Sequence, residues 1–129
     1  LEEIYTKANS FFFDSYALYE IINGNPSYNL YCKDIQIVTT KLNLMELHYG
    51  LLKIKDKKEA DKYYDYFLQF CVEISDDTIK QANEFRLNNY KRELSYIDCL
   101  GYIIAKKRGF KFLTGDEQFR HFDNVEFVK

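Results

Sequence analysis

The sequence predicts an α/β fold with a mostly parallel sheet covered by helices on both faces. The first observation is length, because 129 residues correspond to one domain that is large enough for one hydrophobic core. The second is an alternation of short apolar runs with longer segments of helical periodicity. The third is that only one to three residues separate each run from the next helix. Short joints between alternating strands and helices are typical of right-handed βαβ units, which build parallel sheets.

The first half of the chain contains two predicted strands, each followed by a helix. Phe11-Phe12-Phe13 is a continuous aromatic run, and Asp14 and Ser15 after it are both good helix N-caps. The next helix ends at Asn23-Gly24-Asn25-Pro26, because Gly and Asn adopt the left-handed conformation and Pro cannot continue the hydrogen bonding. In chain order, the predictions are a strand at 11–13, a helix at 16–23, a short helix at 28–32, a β-branched strand at 35–39 and a largely apolar helix at 41–54.

The second half of the chain continues this alternation. Its helices are predicted from apolar spacings of three and four, from N-caps at Ser75 and Ser95, and from a stop at Gly109 after three basic residues. Val72 and Ile74 favour a strand at the end of the first of these helices. In chain order, the predictions are a helix at 57–70, a strand at 70–74, helices at 76–90 and 95–108, a strand at 110–113, a helical turn at 117–120 and a last strand at 125–128.

Composition and charge narrow the class of protein. The chain is 47% hydrophobic and 29% charged with one Pro and five Gly, which excludes disordered and collagen-like sequences. No apolar run approaches the ~20 residues that span a bilayer, and the first ten residues lack the pattern of a secretory signal, so a soluble protein is expected. The net charge of −2 does not indicate a general nucleic-acid binder, although a local basic patch would suffice. Three cysteines without a C-x-x-C pair favour a reducing cytoplasm over a disulfide framework or a zinc site.

Four acidic residues lie where the predicted topology gathers side chains. Asp14 and Asp116 follow predicted strands, while Glu46 and Asp98 lie near helix N-termini that face the same edge of the sheet. Each acid also has a local explanation by itself. Asp14 is a candidate N-cap and Asp116 a candidate Asx turn, while Glu46 lies on a polar strip of its helix and Asp98 completes a capping box. Together they would repel one another, since each pair ~4 Å apart costs about 4 kcal/mol at an effective dielectric of 20. Such a cluster persists only if it is partly protonated or holds cations, and all-oxygen ligands suit Mg²⁺ or Mn²⁺.

The acidic residues stand in four short motifs that together resemble the PIN-domain family, and most closely its VapC-type toxins. The motifs are FFFDSYAL at 11–18, LMEL at 44–47, SYIDCL at 95–100 and LTGDEQF at 113–119. All four occur in the order and at the spacing of that family. The resemblance implies a PIN-like nuclease domain at 11–129, with residues 1–10 as an N-terminal extension or a tag remnant.

The resemblance also implies an architecture and an activity. The expected fold is a three-layer α/β/α sandwich around a mostly parallel sheet of four to five strands. The expected activity is that of a metal-dependent endoribonuclease that uses Mg²⁺ or Mn²⁺ to hydrolyse RNA phosphodiesters. The implied catalytic and metal-ligating residues are Asp14, Glu46, Asp98 and Asp116, supported by the polar side chains of Thr114 and Ser15. A cytoplasmic toxin of a type II toxin–antitoxin pair is implied, with RNA as substrate, a cognate antitoxin and a homodimer as partners, and no membrane.

Binding of RNA also needs positive charge, because phosphate contacts supply most of the non-specific affinity. Arg120, one short turn from Asp116, is a candidate for an RNA contact. The cluster of Lys106, Lys107 and Arg108 is a second candidate, although basic residues at a helix C-terminus also interact favourably with the helix dipole.

Other classes of protein account for the sequence less well. A phosphatase of the haloacid dehalogenase type also has an Asp after its first strand, but it requires a second Asp two residues later, where this chain has Tyr16. A response-regulator receiver requires an acidic pair where this chain has Phe12-Phe13. A stand-alone PIN nuclease in RNA processing or decay would have the same site and stays open. A non-catalytic PIN-like RNA-binding scaffold is the non-enzymatic alternative, and the presence of all four acids argues against it.

Overall fold

A computed structural model of the protein describes residues 6–129. Its sheet has four strands, which are β1 (Ser10–Phe13), β2 (Gln36–Val38), β3 (Lys111–Thr114) and β4 (Val125–Phe127). They pair in the order β2-β1-β3-β4, and every pairing is parallel. The predicted mostly parallel sheet is therefore confirmed.

Residues 6–129 also contain five α-helices and several short 3-10 helices. The α-helices are α1 (Ser15–Ile22), α2 (Lys41–Ile54), α3 (Lys57–Phe67), α4 (Asp76–Asn88) and α5 (Tyr96–Arg108). The 3-10 helices are Lys7–Asn9, Pro26–Tyr31, Leu68–Phe70, Tyr90–Arg92 and Glu117–Phe119. Capping side chains begin all five α-helices, since each accepts a backbone N–H from the first turn. The caps are the predicted Asp14, Ser75 and Ser95, together with Thr40 and Asp56.

The two faces of the sheet have separate apolar layers because successive strand residues point to opposite sides. Phe11 and Phe13 of β1 pack with α1, α2 and α3, whereas Phe12 packs with α4 and α5. The α5 layer lies very close to the sheet at Gly101, where an added Cβ atom would be 2.6 Å from the Phe12 ring. The expected three-layer α/β/α sandwich is thus confirmed, with one core on each face.

The predicted strand at 70–74 is wrong, and the helix before it is shorter than expected. Helix α3 ends at Phe67, and a 3-10 helix occupies Leu68–Phe70. Only a single parallel bridge, between Thr39 and Cys71, joins this segment to the sheet. The reason is that Thr40 already begins α2, so the neighbouring chain leaves the sheet and offers residues 73–74 no backbone to pair with. Val72 and Ile74 are still partly buried against the α4–α5 layer, which accounts for their apolar pattern.

The predicted N-terminal extension at residues 1–10 lies partly outside the described residues. Within the described part, Lys7–Asn9 form a 3-10 helix and Ser10 is already the first residue of β1. Among the described helices, none has both the length and the apolar character that a membrane crossing requires.

Candidate active site

The fold brings the four acidic residues to one edge of the sheet. Asp14 directly follows β1, and Asp116 comes two residues after the end of β3, so both lie at the carboxyl edge of the parallel strands. Asp98 lies in the first turn of α5, which begins at the same edge because a crossover helix runs back along the sheet. Glu46 lies in the second turn of α2.

Asp14 is a fully enclosed carboxylate. One oxygen, Oδ1, accepts the backbone N–H of Ala17 at 2.8 Å, so the residue is the N-cap of α1. The other oxygen, Oδ2, accepts a hydrogen bond from the hydroxyl of Thr114. The pKa of Asp14 is raised to about 8, mainly by burial and in smaller part by the negative charges of Asp98 and Asp116, although the two hydrogen bonds lower it.

Thr114 links Asp14 to Asp116 across the two central strands. Its buried hydroxyl donates to Asp14 and accepts the backbone N–H of Asp116 at 3.0 Å. The carboxylate of Asp116 in turn accepts the backbone N–H of Gln118 at 3.0 Å, as the Asx turn predicts. Gly115, which lies between Thr114 and Asp116, is tightly enclosed, since a Cβ atom added to it would lie 2.2 Å from the Tyr16 ring. This close packing holds the backbone in place and so fixes the position of the Asp116 carboxylate.

Asp98 is half-buried beside the same cluster. Its backbone N–H donates to the Ser95 hydroxyl at 3.0 Å, which fixes the first turn of α5. Burial is the main reason that the pKa of Asp98 rises to about 6, and the negative charges of Glu46 and Asp116 add to it. The charges of Asp98 and Asp116 act on Asp14, and those of Glu46 and Asp116 act on Asp98, so these acids from four separate segments are linked electrostatically.

Glu46 is the exposed member of the cluster and is held by a network of neutral side chains. Its Oε1 accepts the hydroxyl of Ser15 at 2.7 Å. The amide of Asn43 donates to Ser15 at 3.3 Å and accepts the hydroxyl of Thr40 at 2.7 Å. Asn43 is buried, and its structural role was not predicted. The available signal was an Asn one turn before Glu46 on an otherwise apolar helix.

None of the four acids forms a salt bridge to a Lys, Arg or His side chain among residues 6–129. Within the same described range, no three His, Cys, Asp or Glu side chains converge as a set of metal ligands. The site is therefore an uncompensated cluster of acidic charge with oxygen donors, rather than a complete coordination sphere. Oxygen donors of this kind suit hard divalent cations such as Mg²⁺ and Mn²⁺.

The basic residues predicted to bind RNA lie apart from the four acids or contact other side chains. Lys106, Lys107 and Arg108 occupy the last turn of α5, eight or more residues after Asp98, which corresponds to a rise of about 12 Å or more. There Lys106 donates to Asp123 at 3.0 Å and Lys107 donates to Thr78 at 3.0 Å. Arg120 is closer to Asp116 in the chain, but its guanidinium contacts Glu117 at 3.3 Å and lies over the Phe127 ring. An RNA role for these residues stays a prediction.

Comparison with known proteins adds the family context. The PIN-domain family model matches residues 11–125 of the chain. A search of curated protein sequences gave no match.

Several solved structures have the same fold. VapC20 of Mycobacterium tuberculosis, a toxin that cleaves the sarcin–ricin loop, has a TM-score of 0.77 and 18% identity over 92% of this chain and 99% of that chain. VapBC2 of Rickettsia felis, bound to a DNA fragment from its promoter, has a TM-score of 0.68 and 21% identity over 93% and 99% of the two chains. A toxin–antitoxin complex from Klebsiella pneumoniae has a TM-score of 0.69 and 17% identity over 89% and 94%. At these identities the likeness is one of fold.

Proposed function

The chain belongs to the PIN-domain family, and on that premise we propose that it is a metal-dependent endoribonuclease and the toxin of a type II toxin–antitoxin pair. The observation that carries the proposal is the gathering of Asp14, Glu46, Asp98 and Asp116 at the carboxyl edge of the sheet without a compensating basic side chain among residues 6–129. A soluble domain gains no stability from such an arrangement, because like charges repel and burial of a carboxylate is costly.

The donor set fits a divalent cation, since it consists of carboxylate oxygens with one buried hydroxyl beside them. In the proposal Asp14, Asp98 and Asp116 hold Mg²⁺ or Mn²⁺, and Glu46 completes the set as a ligand or orients the attacking water. When bound, the ion would lower the pKa of water and polarise a phosphate oxygen. Thr114 positions two of the acids at once, because its hydroxyl contacts the Asp14 carboxylate and the Asp116 backbone.

Glu46 is suited to contact the attacking water. Its Oε1 is fixed by the Ser15 hydroxyl, while Oε2 accepts no hydrogen bond from the part of the chain that the structure describes. A fixed carboxylate with one open oxygen can accept a hydrogen bond from water and so orient its lone pair toward the phosphorus atom. Ser15 is then a positioning residue for the water rather than a catalytic group.

The proposed partners are a cognate antitoxin and a second copy of the chain. Support for the antitoxin comes from two structures with this fold, which are toxin–antitoxin complexes. The acidic edge would accept a basic segment of the antitoxin, because the charges are complementary. Co-purification with the product of a neighbouring reading frame tests the antitoxin, and light scattering of the purified chain tests the homodimer.

The test of the activity is cleavage of a 5′-labelled RNA by the purified protein with Mg²⁺ or with EDTA. Cleavage is expected with Mg²⁺ only, and Asp98→Asn should lower the rate at least about 100-fold, because it removes a charge that the metal site requires. Asp56→Asn is the matched control, since Asp56 also lies at a helix N-terminus but is exposed and begins α3, away from the cluster.

The melting temperature gives a second readout of the metal. Mg²⁺ should raise the Tm of the wild type, because a ligand that binds only the folded state stabilises it, and Asp98→Asn should remove the effect. Full cleavage by Asp98→Asn, or cleavage that persists in EDTA, would contradict the proposed mechanism. A Tm that does not respond to Mg²⁺ together with the absence of cleavage would favour a non-catalytic RNA-binding scaffold.

A further inference from the structure

A pair of cations lies beside the acidic cluster on the side of β4. Glu117 directly follows Asp116, and its carboxylate contacts the ammonium of Lys129 at 2.9 Å and the guanidinium of Arg120 at 3.3 Å. The side chains of Glu117, Arg120 and Lys129, which we name the cationic group, are between 51% and 60% exposed, so a ligand can reach them. The group has two positive charges and one negative charge, in contrast to the four uncompensated acids next to it.

The register of the sheet places Lys129 at the same edge as the acids. Phe127 of β4 pairs with Thr114 of β3, and the Val128 N–H donates to the Thr114 carbonyl at 2.9 Å. Parallel strands end on the same side of a sheet, so the chain after β4 runs beside the chain after β3. Lys129 therefore lies next to the segment that carries Asp116, and its ion pair with the residue after Asp116 agrees with this placement.

Tyr16 lies between the cationic group and the buried part of the site. A Cβ atom on Gly115 would lie 2.5 Å from the ring carbon of Tyr16 that carries the hydroxyl, so this end of the ring packs against the residue before Asp116. Burial is the main reason that the pKa of Tyr16 is raised, and the nearby charges include that of Lys129, which lowers it, and that of Asp14, which raises it. Because both charges act on one ring, the cationic group lies within electrostatic range of the acidic cluster.

The two cations have donors left for an anionic ligand. An ammonium has three N–H donors and a guanidinium has five. Both contacts of Arg120 with Glu117 come from the same nitrogen, Nη1. The guanidinium carbon also lies 4.8 Å from the centroid of the Phe127 ring, which helps to hold the guanidinium plane in place. A held guanidinium next to an ammonium is well suited to bind the oxygens of a phosphate group.

An RNA strand at the acidic edge needs positive charge of this kind. A metal ion offsets the charge of the phosphate that is cleaved, but the neighbouring phosphates also approach the four carboxylates and are repelled by them. The basic residues in the last turn of α5 are distant from this edge, whereas the cationic group borders Asp116. The cationic group is therefore placed to offset the charge of a neighbouring phosphate.

We propose that Lys129 and Arg120 bind the RNA phosphate next to the one that the acidic cluster cleaves. Glu117 positions the two cations and competes with the phosphate for them. The inference rests on the proposed ribonuclease function and deepens it, because it names a second phosphate contact and places that contact on the β4 side of the cluster. A contact of this kind adds affinity but no base specificity.

Fluorescence anisotropy with a labelled 12-nucleotide RNA tests the proposal, in EDTA so that no cleavage occurs. Lys129→Gln should raise the Kd roughly 3- to 10-fold and reduce the magnitude of the slope of log K against log salt by about one, whereas Lys129→Arg should stay within about twofold of the wild type. Lys57→Gln is the matched control, because Lys57 also pairs with a carboxylate, that of Asp61, but lies at the start of α3, beyond the far end of α2. A Kd for Lys129→Gln within twofold of the wild type would overturn the proposal.

The sign of the effect at Glu117 separates phosphate binding from a structural ion pair. Glu117→Gln should lower the Kd roughly 2- to 5-fold, because the phosphate no longer competes with a carboxylate whose exposed ion pairs are each worth about 0.2 to 1 kcal/mol. Glu59→Gln is its control, since Glu59 pairs with Lys62 on α3. Weaker binding of RNA by a folded Glu117→Gln protein would contradict the proposal, and circular dichroism checks that each variant is folded.

Cleavage with Mg²⁺ locates the phosphate. Lys129→Gln should raise KM and leave kcat within about threefold, because the contact is the same in the bound state and in the transition state. After the cleavage position has been mapped, an uncharged methylphosphonate at the linkage on one side of it should give the wild type and Lys129→Gln the same KM. A difference that persists with the methylphosphonate on either side would overturn the assignment to the neighbouring phosphate. A wild type that does not cleave RNA counts against the proposed function, whereas the Kd values in EDTA decide the cation contact by themselves.

Discussion

Asp14→Asn should stabilise the metal-free protein while it abolishes the proposed activity. Asparagine has nearly the same shape and is an equally good N-cap, so the hydrogen bond to the Ala17 N–H survives. The amide can also donate to the Thr114 oxygen that now donates to the carboxylate. What the substitution removes is the cost of protonating this carboxyl on folding, because at pH 7 Asp14 is ionised in the unfolded chain but mostly neutral in the folded protein.

The magnitude follows from the pKa of Asp14, which is about 8 in the folded protein against an ordinary value of 3.8. Below pH 3.8 the carboxyl is protonated in both states and imposes no cost. Between pH 3.8 and pH 8 the folded state binds the proton more strongly than the unfolded state, so the free energy of unfolding falls as the pH rises. At about 1.4 kcal/mol per pH unit, the wild type is destabilised at pH 7 by on the order of 4 kcal/mol.

The assay is urea denaturation in EDTA at several pH values between 4 and 8. At pH 7 the free energy of unfolding of Asp14→Asn should exceed that of the wild type by about 2 to 4 kcal/mol, which corresponds to on the order of 10 °C in Tm. The difference should shrink toward zero at pH 4. Asp56→Asn is the control, because Asp56 accepts the Glu59 N–H at the same 2.8 Å but is exposed. A gain that is the same at pH 4 and pH 7 would refute the argument from the raised pKa of Asp14.

Two further substitutions test how the acids are positioned. Gly115→Ala places a Cβ atom 2.6 Å from the carbonyl oxygen of Val128, which is backbone and cannot move easily. Urea denaturation should therefore show a free energy of unfolding lower by roughly 1–3 kcal/mol, and RNA cleavage should be slower. Gly50→Ala, whose Cβ would have nothing within 4 Å, is its control and should not destabilise the protein. Asn43→Leu removes the hydrogen-bond partner of the Thr40 and Ser15 hydroxyls, so the free energy of unfolding should fall by roughly 1–3 kcal/mol. Cleavage should also slow, because Glu46 is less firmly held. An unchanged free energy of unfolding would show that the network does not stabilise the protein.

The parts of the fold that follow from local chemistry were predictable from the sequence. The helix at 41–54 was predicted with its observed bounds, because Thr40 caps it and its apolar residues continue without interruption. The placement of Asp14 and Asp116 at one edge follows from parallel topology, in which every strand ends on the same side. Positions of this kind need no knowledge of side-chain packing.

The features that depend on distant partners were not predictable in the same way. Whether Val72 and Ile74 form a strand depends on the availability of a neighbouring backbone, and α2 removes it. The contact of Asn43 with Ser15 joins residues 28 positions apart, and neither residue has a motif that indicates the other. The stacking of Arg86 on Tyr96 likewise depends on the antiparallel packing of two helices.

The cost of burying Asp14 bears on why this position has a carboxylate. Capping alone does not account for it, since Thr40, Ser75 and Ser95 cap α2, α4 and α5 with neutral side chains. A penalty on the order of 4 kcal/mol is a large part of the 5–15 kcal/mol by which domains are typically stable. A neutral cap at position 14 would avoid this penalty and keep the fold. A carboxylate there becomes favourable when a cation offsets its charge, which supports the proposed role of Asp14 as a metal ligand over a purely structural role.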